Sequence, residues 1–148
     1  MKRVLFACVH NAGRSQMAAA FFDQLAEPTK ATALSAGTEP GSHVHPEVVF
    51  VMQELGLDLS HAVPRRLTPD LAREASLLVT LGCGESCPIL PSVPIVDWPL
   101  PDPKGQRLDA VRAIRDDVLR RVRELVIAKG WQRELGDSGD AAHPSLPR

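Results

Sequence analysis

Residues 4–15 read Val4-Leu5-Phe6-Ala7-Cys8-Val9-His10-Asn11-Ala12-Gly13-Arg14-Ser15. An apolar run stops at a cysteine, a loop of small and polar residues follows, and arginine and serine open a segment rich in helix formers. Strand, short loop and helix N-terminus in that order bring backbone N–H groups and the positive end of a helix to one spot, which suits a tetrahedral oxyanion. The same potential favours the thiolate of Cys8, the reactive form of the side chain. The oxyanion-binding set is therefore Val9, His10, Asn11, Ala12, Gly13 and Arg14. Arg14 offers a planar fork of donors that grips two oxygens at once. Gly13 allows backbone angles other residues avoid, so that several N–H groups turn inward. Asn11 can hydrogen-bond within the loop and hold its shape, and Ser15 is placed to donate to the Cys8 sulfur. His10 reads either as a helper or as an outward-pointing spectator. A cysteine and an arginine at this spacing are weak evidence alone; the strand before them and the helix after them supply the required context.

Working outward, apolar runs alternate with helical patterns. Strands are expected at residues 3–7, 31–36, 77–81 and 93–96, the third short and nearly all apolar, as a buried parallel strand should be. Helices are expected at residues 15–25, 46–55 (Gly56 beyond as a stop) and 108–129, with a short one opening at Thr68-Pro69-Asp70, Thr68 as cap and Pro69 at the first helical position. In the last helix Leu108, Val111, Ile114, Val118, Val122 and Leu125 share a face. Strands separated by helices imply βαβ units around a parallel sheet, an α/β domain. No internal repeat or second domain is evident: residues 1–130 form one domain. Residues 131–148, rich in Gly, Asp, Ser and Pro, are expected to form a flexible C-terminal tail, with Trp131 available to pack back.

The chain has 148 residues, 44% hydrophobic and 24% charged, the composition of an ordinary globular protein with a proper core. A formal net charge of -1 gives no reason to expect nucleic acid or an anionic membrane as partner. No apolar stretch approaches the roughly 18 residues that span a bilayer, and the basic start precedes too short an apolar run for a secretory signal. Three cysteines, an odd number without an export signal, argue against a disulfide framework and place the chain in the cytoplasm.

In open α/β sheets, ligands sit beyond the carboxyl ends of the strands. Cys8 follows the first expected strand, Cys83 the third, and Asp102 lies after the fourth, so all three regions converge on one edge. Cys83 and Cys87 lie in Gly82-Cys83-Gly84-Glu85-Ser86-Cys87-Pro88. On a helical turn these positions share a face near disulfide range. A redox pair, two inert thiols and half of a metal site are the readings; only His43, His45 and His61 stand as loose further ligands. Asp102, in Pro101-Asp102-Pro103, is placed either to donate a proton across the pocket from Cys8 or to build an ordinary turn. His43 and His45 are expected to be solvated, as are Arg65, Arg66 and the arginines from 115 to 123.

Together these segments resemble the arsenate reductases that share the low-molecular-weight protein tyrosine phosphatase fold. The resemblance rests on Cys8-Val9-His10-Asn11-Ala12-Gly13-Arg14-Ser15-Gln16-Met17-Ala18, and continues at Ser35-Ala36-Gly37-Thr38, Leu78-Val79-Thr80-Leu81-Gly82-Cys83, Cys87-Pro88-Ile89-Leu90-Pro91, Asp97-Trp98 and Asp102-Pro103. It implies a single three-layer domain with a four-stranded parallel sheet of flavodoxin-like order 2-1-3-4. It also implies catalytic residues Cys8, Arg14, Ser15, Cys83, Cys87 and Asp102. Arsenate would bind in the loop, where phosphate or sulfate also fits. Cys8 would attack arsenic while Asp102 assists loss of water; Cys83 would resolve the adduct, and Cys87 would pass the disulfide on for thioredoxin to reduce. No cofactor and no metal are implied, and Ala19 stands where some relatives carry a glutamate linked to potassium. Three other readings stay open: a reductase that uses mycothiol or glutathione, a low-molecular-weight phosphatase using Cys8, Arg14 and Asp102 alone, and an oxyanion- or metal-responsive binding module.

Overall fold

The structure, a computed structural model, describes residues 1–82 and 92–133. Its elements run β1 (Lys2–Cys8), α1 (Arg14–Leu25), β2 (Ala31–Gly37), α2 (Pro46–Gln53), α3 (Pro69–Arg73), β3 (Leu77–Thr80), β4 (Ile95–Asp97) and α4 (Leu108–Lys129). The four strands form one parallel sheet of order β2-β1-β3-β4, as the resemblance implied.

Period-two alternation along the central strands divides the core. Val4, Phe6, Cys8, Leu77 and Val79 pack with α1, α2 and α4, while Leu5, Ala7, Ala36 and Leu78 pack with α3 and Val93. Three layers result, the thicker helical layer lying on the face that carries Cys8. Phe6 sits between Phe22 and Trp98, with ring centroids 5.8 and 6.0 Å away. The fourth strand forms two residues later than expected, at the sheet's edge, with Ile95 and Val96 partly exposed.

The end signals act as their chemistry requires. The Thr68 hydroxyl accepts from the Leu71 N–H at 3.1 Å, and Gly130 closes α4 in the left-handed conformation at φ 72°. Beyond it, Trp131 packs edge-on against Phe22 at 5.9 Å, and its carbonyl accepts from the Glu27 N–H at 2.8 Å. The first residues of the expected tail are thus docked on the body; the rest of it, 134–148, lies outside the described residues.

Expectations of solvation fail at Arg115 and His45, and Arg121 and Arg123 are half-buried. Arg115 is 8% exposed, because it falls on the same α4 stripe as Val111, Ile114 and Val118. Its guanidinium donates to the Val51 carbonyl and to Glu54, at 2.8 and 2.7 Å. A long arginine can bury its stem while its head finds such partners. Glu54, held by Arg115 and Arg112, has its carboxyl lowered from 4.5 to about 2, mainly through the Arg112 hydrogen bonds. His45, the second case, belongs to the site.

Candidate active site

The loop between β1 and α1 is built from the outside. Its carbonyls point away from the loop's centre and are taken by neighbours. Those of Cys8, Val9, His10 and Ala12 accept from the N–H groups of Thr38, Glu39, Gly41 and His45 at 3.2, 2.7, 3.0 and 2.9 Å. The Asn11 carbonyl accepts from the Gln16 amide at 3.1 Å, and that of Gly13 from the Met17 N–H at 3.0 Å. With the carbonyls committed outward, the peptide N–H groups of residues 9–15 have no acceptor among the described residues. Buried donors are rarely left in that state. A concave row of such groups at a helix N-terminus is an anion cradle.

Asn11 is the pivot of this loop. It occupies the left-handed region at φ 51°, which asparagine tolerates better than most residues. Its side chain donates to Ser15 Oγ at 2.7 Å and accepts from the Arg65 N–H at 3.0 Å. Gly13 also takes the unusual backbone expected of it, at φ -147° and ψ -91°, outside the regions that side chains favour. Its lack of a side chain serves packing, since a Cβ there would lie 2.8 Å from Cγ of Pro103.

Cys8 is 2% exposed, with Sγ 2.9 Å from Ser15 Oγ. Because that hydroxyl already accepts from Asn11, its own proton is free to point at the sulfur. Ser15 thus stands where the sequence placed it. Arg14, 5% exposed, donates through Nη1 to the Leu100 carbonyl at 2.8 Å, while its buried Nε has no partner among the described residues. Nη2 lies 3.8 Å from Asp102 Oδ2. The structure therefore brings Asp102 to the same edge as Cys8. Its other oxygen accepts from the Lys104 N–H at 3.0 Å, so the residue makes the turn and also lies beside Arg14. Cys83 and Cys87 lie outside the described residues.

His45 is partly buried, its ring packed beside Gly13. Burial pushes its pKa below the ordinary 6.5, against the nearby charges of Asp102 and Glu47, which favour protonation. His10, in contrast, turns outward and pairs with the Glu39 carbonyl at 3.0 Å. Gly82 is the residue whose role sequence reasoning missed. It is left-handed at φ 83°, and a Cβ there would collide with the Arg14 guanidinium and approach the Leu100 carbonyl to 2.8 Å. A glycine directly after a buried strand is the signal that could have exposed it. Among the described residues, no cluster of three or more His, Cys, Asp or Glu is placed to hold a metal, and no helix is long and apolar enough to cross a membrane.

The arrangement can hold a tetrahedral oxyanion over a thiol, with a carboxyl at the opposite side. The chain is similar to known proteins. The profile of the family described as low molecular weight phosphotyrosine protein phosphatase matches residues 3–136. A putative arsenate reductase of Halobacterium salinarum is 43% identical over 124 residues, covering 81% of this chain and 87% of that protein. A glutaredoxin arsenate reductase of Synechocystis sp. is 36% identical over 130 residues, covering 85% of this chain and 97% of that protein. Among solved structures, a thioredoxin-dependent arsenate reductase of Corynebacterium glutamicum matches with a TM-score of 0.74 at 38% identity. That match covers 86% of this chain and 61% of the other, so the chain spans about three-fifths of that protein's length. On the strength of a family match over most of its length, the chain belongs to the low molecular weight phosphotyrosine protein phosphatase family, beside relatives named as arsenate reductases.

Proposed function

We propose that the protein reduces arsenate to arsenite in the cytoplasm, with thiols as the electron source. Arsenate sits in the N–H cradle of residues 9–14 and on the fork of Arg14, and phosphate or sulfate competes for the same place. The Cys8 thiolate, supported by Ser15, attacks arsenic; an oxygen leaves as water with a proton from Asp102. The Cys83 thiolate then attacks the Cys8 sulfur. The sulfur–arsenic bond breaks and its electron pair stays on arsenic, which departs as arsenite. Two thiols become a Cys8–Cys83 disulfide while arsenic gains two electrons. Cys87 next attacks Cys83, frees Cys8, and leaves a Cys83–Cys87 disulfide for the thioredoxin dithiol to reduce.

One observation carries the reading: a buried thiol lies beside N–H groups and an arginine Nε that have no partner among the described residues. Support for arsenate over a phosphoester comes from the names of the relatives and from Cys83 and Cys87, since phosphate hydrolysis needs no resolving thiols. A second reading of the electron source has its own support in the glutaredoxin-named relative. There a small thiol such as glutathione or mycothiol resolves the Cys8 adduct, and Cys83 and Cys87 are incidental.

The test follows NADPH loss with arsenate in two reductant systems, thioredoxin with its reductase and a low-molecular-weight thiol with its own. Turnover only with thioredoxin is the expected result, and turnover only with the small thiol selects the second reading. Activity in neither, beside robust cleavage of a phosphoester, would replace the reductase with a phosphatase.

A further inference from the structure

The first turn of α2 touches both sides of the site. At its N-cap, the His45 N–H donates to the Ala12 carbonyl at 2.9 Å and so helps form the anion cradle. Two residues on, Glu47 Oε2 accepts from the Gly105 N–H at 3.0 Å. Gly105 lies one residue beyond Lys104, whose N–H holds Asp102 Oδ1, and stands in the left-handed conformation at φ 71°. Pro103, between them, is buried against Gly13.

From this juxtaposition we infer that Glu47 is a positioning residue for Asp102. Its carboxylate fastens the 102–105 turn to the helix that also fastens the cradle, so the acid is held at a fixed place relative to Arg14 and the bound anion. The inference rests on the proposed role of Asp102 as proton donor. Among the described residues the turn has few other ties, one of them the local bond from the Gln106 N–H to the Pro103 carbonyl at 3.1 Å. The Lys104 bond is internal to it, the Arg14 pair at 3.8 Å is long, and the Pro103 contact is apolar and without direction. A carboxylate bond to a peptide N–H is charge-assisted and directional, which is what aiming a side chain requires.

An acidic residue in the first turn of a helix also favours the helix dipole, and that purely structural role predicts a different pattern. Glu47→Gln keeps an oxygen for the Gly105 N–H but loses the charge, whereas Glu47→Ala loses both. Positioning therefore predicts that Glu47→Ala lowers kcat for arsenite formation about tenfold, part of the 10²–10⁴ a general acid supplies. Inhibition by inorganic phosphate should stay within about twofold, because the cradle is untouched. Hydrogen exchange at the Gly105 amide should accelerate in Glu47→Ala, and Glu47→Gln should restore both kcat and protection.

Equal losses in the two variants would overturn the inference in favour of the dipole. Unchanged kcat and unchanged Gly105 exchange in Glu47→Ala would overturn it outright. Absence of arsenite from the wild-type protein would instead remove the proposed activity, while the Gly105 exchange still decides whether Glu47 holds the turn.

Discussion

The loop at residues 8–13 and the turn at residues 102–105 face each other across Arg14, yet they are anchored in opposite ways. In the first, peptide carbonyls are tied to neighbouring backbone and to Gln16, and Asn11 reaches three separate partners. Fixed donors of this kind cost no reorganisation when the anion arrives. Among the described residues the second is held by two local bonds, from the Lys104 and Gln106 N–H groups, by Glu47 and by a proline contact, and its acid is 42% exposed on the side chain. In the proposed mechanism, binding is thus built into a rigid strand–loop–helix unit, and proton delivery is attached to it by the turn. Substitutions in the loop should remove chemistry or binding altogether; those in the turn should slow chemistry while leaving binding in place.

Cys8→Ser is the most severe way to probe that contrast. Arsenite formation should fall to the uncatalysed background, with the thermal midpoint close to the wild-type value because the side chain is nearly isosteric. Retained turnover would remove Cys8 as nucleophile. Asp102→Asn comes next. Steady-state kinetics should show kcat lower by about 10²-fold, with phosphate inhibition changed far less. A raised KM at unchanged kcat would leave Asp102 as a turn former only.

Gly82→Ala tests the rigid side by a steric route. The left-handed backbone and the collision with Arg14 should cost about 1–3 kcal/mol of stability. Phosphate binding should weaken by about tenfold, in line with loss of one charge-assisted hydrogen bond; calorimetry of unfolding and of phosphate binding reads both. Unchanged phosphate affinity would show that Arg14 has other room.

The smallest expected effect concerns His45. Its folded pKa lies below 6.5, mainly through burial, with Asp102 and Glu47 opposing that shift and Lys104 and His10 adding to it. As pH falls below 6.5 the unfolded chain takes up the proton before the folded one does. Stability present above that pH is therefore lost as pH drops through the folded pKa. Denaturant melts of His45→Gln should show a shallower loss of stability between neutral and mildly acid pH than the wild type.

Local patterns made much of this legible. The Cys8–Ser15 hydrogen bond follows from a strand–loop–helix order that places residue 15 in the first helical turn, and Thr68-Pro69 marked its helix start by cap chemistry alone. What escaped depends on distant contact. The exposure expected of Arg115 ignored that its stripe on α4 meets the Val51 carbonyl and Glu54. The special backbone expected at Gly13 is shared by Asn11, which is pinned by Ser15 and by the Arg65 N–H from far along the chain. Gly82 is required by Arg14, far earlier in the chain. A glycine after a buried strand hints at a special backbone, but not at which distant side chain needs the room.

The central claim is that arsenate is reduced by this chain's own thiols, starting from Cys8. The direct measurement mixes the fully reduced protein with arsenate, without any external reductant, and counts arsenite and free thiols together. One arsenite per chain should appear as the three thiols fall to one, and Cys8→Ser should produce none. Arsenite that forms only after a small thiol is added, with all three cysteines still free before it, would contradict the relay.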